Sequence, residues 1–198
     1  MDQTLPARIQ FGLTISYHYI FPPITIGLGL FLVVLGVLHL RTGNAVWNRA
    51  LRFWTRVYAL NFALGIATGL VQEFQFGTNW STYSRFVGDV FGSALAAEGI
   101  FAFFLESGFL GVMLFAGDRI SARLQVLATS MVALGAHFSA IWIVVANSWM
   151  QTPSAYRLVR GPAGDVRAEI TSFWGVIANP SAADRLLHVI VGAWLTGA

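Results

Sequence analysis

FGLTISYHYIFPPITIGLGLFLVVLGVLHL, residues 11–40, contains no aspartate, glutamate, lysine or arginine. It exceeds the roughly 20 apolar residues that carry a helix across a hydrocarbon core. Three further predominantly apolar stretches follow, at about Val57 to Gly77, Val90 to Phe115 and Val126 to Ala146. A fifth begins near Leu186 and is cut off at Ala198, too short to span, so the chain reads as truncated. The expected fold class is all-α: a multi-pass transmembrane helical bundle of four complete helices plus a truncated fifth. All of 1–198 is expected to form one integral membrane domain, with 147–185 an outer loop carrying a short surface helix around Val166 to Ala178.

Composition agrees with a bilayer as solvent. Of 198 residues 56% are hydrophobic and 11% charged, against about 25% charged in an ordinary soluble domain. With no cysteine, disulfides, thiolate metal sites and iron–sulfur clusters are excluded. The net charge of +3 comes from arginine alone, and in a membrane protein such a balance sets orientation rather than marking a nucleic-acid partner. No removable signal peptide is expected, because Asp2, Pro6 and Arg8 fall in the first ten residues and no small-residue cleavage site follows. Phosphate loops, dinucleotide glycine fingerprints, zinc-spaced histidine pairs and nucleophile elbows are all missing.

Arginines in the short connections predict the orientation. Arg41, Arg49, Arg52 and Arg56 flank the first connection, and Arg119 and Arg123 lie in the third, whereas the second has only Arg85, balanced by Asp89. The positive-inside rule then places the N-terminus outside and residues 41–56 and 117–125 in the cytoplasm. Arginines of the long outer segment count for less. Trp47, Trp54, Trp80 and Trp149 fall where interfacial belts are expected.

Depth follows from orientation. His18 should lie about seven residues, and Glu98 about eight, below the outer ends of their helices. Glu73 and His188 should lie near the outer ends of theirs, so four polar groups converge on the outer third of the membrane. Glu106 should be roughly 12 Å deeper than Glu98, near the midplane.

Ionisable groups in a membrane cost about 2.5–3.5 kcal/mol on insertion scales and are functional candidates by default. His18 stands four residues before Pro22, and Pro22 and Pro23 cannot donate to the carbonyls of residues 18 and 19. A kink there would open space beside an imidazole, a common axial ligand to haem iron; a histidine hydrogen-bonded between helices is the alternative. His188, one turn above Gly192, is either a ligand to a planar macrocycle or an interfacial histidine that meets water. Eight helical steps leave Glu98 and Glu106 about 80° apart on one broad face. They suit a proton ladder, or else each pairs with a group on a neighbouring helix. Glu73 reads equally as a site residue or a structural ion pair, Arg8 as a propionate partner or an exposed terminal arginine. His39 is expected to be solvated. His137, between Gly135 and Ser139, reads as a helix-packing residue.

Longer strings carry a family resemblance. Residues 65–80, GIATGLVQEFQFGTNW, closely resemble the second helix of cytochrome bd oxidase subunit I. Glu98-Gly99 followed by Phe103-Phe104-Leu105-Glu106-Ser107, residues 145–153 (VANSWMQTP), Gln10-Phe11 and Tyr17-His18 do so as well. The resemblance implies that His18 is an axial ligand to a high-spin haem iron and His188 one axial ligand of the low-spin haem b. Glu98 matches the carboxylate beside or on the active-site haem iron. Glu106 and Ser107, with Ser139, match the proton route from the cytoplasm, and Glu73 and Arg8 match residues near the haems and their propionates. The implied cofactors are low-spin and high-spin haem b with haem d or a further haem b. The implied activity is an electrogenic quinol:oxygen oxidoreductase that makes a proton-motive force without pumping. Its implied partners are ubiquinol or menaquinol, oxygen, oxidase subunit II and a small accessory subunit. The implied location is the bilayer of a bacterial or archaeal cell membrane. The family's quinol loop, the methionine opposite His188 and a further glutamate ligand would lie beyond Ala198, and His137 departs from the family pattern. A haem-free channel or transporter using buried glutamates is the competing class.

Overall fold

Proline decides where the first apolar stretch breaks. In the computed structural model, which describes residues 4–116, 119–161 and 164–197, α1 (Thr4–His18) and α2 (Phe21–Thr42) are separate helices. Pro22 and Pro23 stand in the first turn of α2, where a missing N–H costs nothing. The kink expected inside one helix over 11–40 falls at Tyr19 and Ile20, a two-residue turn between α1 and α2 in which Ile20 keeps helical dihedrals (φ −62°, ψ −38°). Asn61 of the next helix donates to the Phe21 carbonyl (3.0 Å) and to the Thr25 hydroxyl (2.7 Å), tying down the restart.

The remaining helices run longer than their apolar windows. α3 (Ala45–Gly77) begins well before Val57, its N-terminus capped by Asn44 Oδ1 accepting from Val46 N at 2.9 Å. Arginine is a good helix former with a long apolar stem, so Arg49, Arg52 and Arg56 prolong the helix. α4 (Ser81–Glu98), a π-helical turn (Gly99–Phe103) and α5 (Phe104–Phe115) form one continuous rod that starts nine residues' distance ahead of the expected Val90. α6 (Ala122–Gln151) is capped by Ser121 and ends before Pro153. α8 (Ala182–Gly197) begins before Leu186. Pro162 and Ala163 of the outer segment, Gly117 and Asp118 of an expected inner loop, and Ala198 of the fifth helix lie outside the described residues.

The expected surface helix over 166–178 is a correction. Val166–Ile170 is strand β2, paired antiparallel with β1 (Tyr156–Arg160), and only Phe173–Ile177 is helical, as α7. Val166-Arg-Ala-Glu-Ile alternates with period 2, and the inward Ala168 is wholly buried with Val87 and Val90 of α4. Asp89 accepts from Ile170 N at 2.8 Å and fixes the hairpin to α4. Glu169 receives Arg167 (2.7 Å) and Arg157 (3.1 Å), hydrogen bonds that hold its carboxyl below the ordinary range.

α2 is the central helix, packing on α3, α6 and α8. Its Leu28, Leu32 and Leu35 share one core with Leu51, Tyr58, Leu110 and Val132, while Ile26 joins Ala136, Ala140 and Ala193. Outward faces carry large apolar side chains such as Leu60, Leu64, Phe74, Phe104 and Leu195, the pattern of a surface made for lipid or a partner helix. Among the described residues four helical segments are long and apolar enough to cross a membrane: Thr4–Thr42, Ala45–Gly77, Ser81–Phe115 and Ala122–Gln151. Two of the tryptophans expected at interfacial depth are buried within the protein. Trp80 (8% exposed) donates to Gln10 Oε1 at 3.0 Å and packs its ring edgewise on Phe11, and Trp149 (3% exposed) donates to the Ser154 carbonyl at 3.0 Å.

Candidate functional site

Glu98 ends α4 and Glu106 lies in the first turn of α5, so the π-helical turn separates them. That turn accommodates one extra residue, so eight steps rotate like about seven α-helical ones, roughly 700° instead of 800°. The carboxylates come to about 20° apart rather than about 80°. Both face α6. Ser139 Oγ donates to Glu98 Oε1 at 2.5 Å. Glu106, one turn along α6, packs on Gly135, where an added Cβ would stand 2.8 Å from the Glu106 Cβ and 2.9 Å from its backbone nitrogen. Only glycine allows that approach. Glu106 is 5% exposed, and the fully buried Tyr58 of α3 donates to its Oε1 at 2.6 Å. A buried carboxyl without such a donor would be costly. Glu73 is exposed on α3 but within electrostatic reach of Glu98, as Glu98 is of Glu106.

His18, the last residue of α1, is half-buried against α3. Its Nδ1 lies 2.9 Å from Thr68 Oγ1, and its Cε1 edge lies over Gly69, while Nε2 has no partner among the described residues. His188 is exposed and unpartnered among the described residues, about 140° round α8 from the packed Ala193. Arg8 is exposed near the start of α1, and Ser107 Oγ donates to its own helix at the Phe103 carbonyl (2.7 Å) rather than to either glutamate. His137 uses both ring nitrogens. Nδ1–H donates to the Ala133 carbonyl at 2.7 Å, so Nε2 accepts from Trp194 Nε1–H at 2.9 Å, linking α6 to α8. It has no lone pair left for a metal, in keeping with the helix-packing reading. The structure therefore brings Glu98, Glu106 and Ser139 together, leaves Glu73 at their margin, and places His188 and Arg8 on open faces.

Comparison with known proteins gives this geometry its context. The family model for cytochrome bd terminal oxidase subunit I matches residues 6–198. The chain belongs to that family. It is 43% identical over 192 residues to cytochrome bd-II ubiquinol oxidase subunit 1 of Escherichia coli (strain K12), a match covering 97% of this chain and 37% of the relative. It is 42% identical over 198 residues to cytochrome bd ubiquinol oxidase subunit 1 of Bacillus subtilis (strain 168), covering 100% and 41%. The fold superposes on the bd oxidase of Geobacillus thermodenitrificans with a TM-score of 0.88 at 28% identity, over 98% of this chain and 44% of that one. The chain thus spans about two fifths of the length of these subunit I relatives.

Haem is the group that membership in a cytochrome bd family implies, and the donor set of this subunit I chain suits it. A porphyrin supplies four equatorial nitrogens, so the protein need add only axial donors. Among the described residues no three His, Cys, Asp or Glu side chains gather into a metal cage. His18 Nε2 and both ring nitrogens of His188 are without a protein partner among the described residues, as is Nε2 of His39 at the far end of α2. Tyr58 and Thr68 are the polar partners of Glu106 and His18, and neither was singled out from the sequence. Each is an ordinary residue of a helix-forming stretch, and only the crossing of α3 with α5 and with α1 reveals what it touches.

Proposed function

We propose that this chain is the haem-carrying N-terminal part of subunit I of a cytochrome bd-type terminal oxidase, in which quinol is oxidised and oxygen is reduced to water. Bound haem supplies one-electron transfer and a site for oxygen. His18 would hold a high-spin haem, His188 would hold the low-spin haem b that serves quinol oxidation, and Glu98 would stand beside the active-site haem. Glu106 delivers protons toward Glu98 from the cytoplasmic side, while Glu73 and Arg8 act near the haems and their propionates. Ser107, turned back on its own helix, contributes at most locally to that route. Protons released outside and consumed from inside generate a proton-motive force without pumping. Ubiquinol or menaquinol, oxygen, subunit II and a small accessory subunit are the partners, and haem d or a further haem b completes the cofactor set.

The observation that carries this reading is the alignment of Glu98 and Glu106 on one face of the α4–α5 rod, each with a hydroxyl donor, Ser139 and Tyr58. Aligned buried carboxyls also suit a haem-free channel or transporter. A pyridine haemochrome spectrum of the purified complete protein, with quinol-dependent oxygen uptake, separates the two; absence of haem would overturn the oxidase reading.

Orientation has its own test. With the N-terminus outside, a cysteine at Asn44 is expected to be shielded from impermeant thiol reagents in intact cells, and one at the exposed Leu158 of the hairpin to be labelled. The reverse labelling would remove the basis for delivering protons through Glu106 from inside.

A further inference from the structure

We infer that Thr68 and Gly69 form a seat that sets the tautomer and tilt of His18, with Thr68 a positioning residue for the haem that His18 binds; this rests on the axial role proposed above for His18. The argument starts from the protons. A threonine hydroxyl has one hydrogen to give and two lone pairs to receive. Thr68 Oγ1 lies 2.9 Å from the Leu64 carbonyl and 3.0 Å from the Gly65 carbonyl of its own helix. One hydrogen serves one direction: when it takes a helix carbonyl, which only accepts, the same oxygen faces His18 as an acceptor. In that arrangement, the one the seat requires, the proton of the 2.9 Å hydrogen bond sits on His18 Nδ1. Its consequence is at the other end of the ring: the lone pair is on Nε2, the nitrogen with no partner among the described residues.

A histidine without this contact would divide between two tautomers, and only the one protonated on Nδ1 presents Nε2 as a donor. Metal-ligating histidines commonly fix the tautomer through the other ring nitrogen, and losing that contact typically weakens metal binding about 10- to 100-fold. Gly69 supplies the second half of the seat. A Cβ built there would meet His18 Cε1 at 3.3 Å, tight enough that the ring would have to give. The hydroxyl and the missing side chain are adjacent on α3, whereas His18 ends α1 at the proline break. The rigid helix thus holds a ring whose own helix stops beside it.

The test uses the complete oxidase, purified in detergent. Thr68→Val keeps the side-chain volume but removes the acceptor. It is expected to make the high-spin haem spectrum heterogeneous and to speed loss of that haem about 10- to 100-fold, with the low-spin signal retained as the folding control. Thr68→Ser keeps the oxygen and is expected to behave as the parent protein. Gly69→Ala is expected to shift the same spectrum while leaving haem retention closer to the parent. Should Thr68→Val fail to assemble, Thr68→Ala carries the same expectation, because it lacks the hydroxyl without adding bulk. His18→Ala separates the two levels of the argument. If it strips the high-spin haem while Thr68→Val and Thr68→Ala match the parent, the seat is wrong and the ligand assignment stands. If Thr68→Ser perturbs the spectrum as much as Thr68→Val, the oxygen is not the agent and the inference also fails. If His18→Ala leaves every haem in place, the axial role falls and the seat with it.

Discussion

Glu106→Gln in the complete enzyme is expected to slow oxygen reduction by on the order of 10²-fold, the scale of losing a positioned proton-transfer group, while the haem spectra stay largely intact. The reasons are local. An amide cannot relay a proton, yet its oxygen still accepts from Tyr58 and its volume matches the cradle left by Gly135. The core of Leu28, Leu32, Leu110 and Val132 around Tyr58 should therefore remain packed. Glu98→Gln is expected to do the reverse at first sight: Ser139 keeps an acceptor, but the change lies at the carboxylate proposed to stand beside the active-site haem, so the high-spin spectrum should shift directly. Turnover and optical spectra of both variants at matched haem content decide the matter. A Glu106→Gln enzyme that loses a haem, beside a spectrally silent Glu98→Gln, would sink the division of labour between them.

His188→Ala is expected to remove the low-spin haem b signal and quinol oxidation altogether, while the protein still inserts and keeps its other haem. His188 is exposed and makes no hydrogen bond among the described residues, so its deletion leaves no orphaned partner and no cavity. Surface substitutions of that kind ordinarily change stability by no more than about 0.5 kcal/mol. Loss of one spectral component from an otherwise stable protein is then a loss of ligation, not of fold. An unchanged reduced-minus-oxidised spectrum would refute the assignment.

Length and hydropathy alone determined the bundle, because a stretch such as 21–40 has no way to satisfy its backbone in lipid except as a helix. A disturbance at Pro22 and Pro23 was legible as well, since a proline ring removes donors wherever the chain goes; the structure makes it a turn at Tyr19 and Ile20 between α1 and α2. The candidate ionisable groups were also legible, because few such residues occur in those spans, but which of them are buried was not: Glu73 is exposed whereas Glu106 is enclosed. What the one-dimensional pattern left open was every contact between helices. Nothing around Tyr58 announces that it meets Glu106, and nothing around Thr68 announces His18, because those meetings depend on which faces of α1, α3 and α5 cross. The π-helical turn at Gly99–Phe103 was equally hidden: a regular 100° step puts the two carboxylates well apart, and one accommodated residue brings them into line. Strand β2, at 166–170, fell within the expected helix because its alternation is decided by Ala168 finding α4, a partner far away in the chain. Sequence determined which chemical groups are inside the membrane; tertiary structure decided which of them touch, because side-chain contact between helices is set by rotation and register that no single helix specifies for itself.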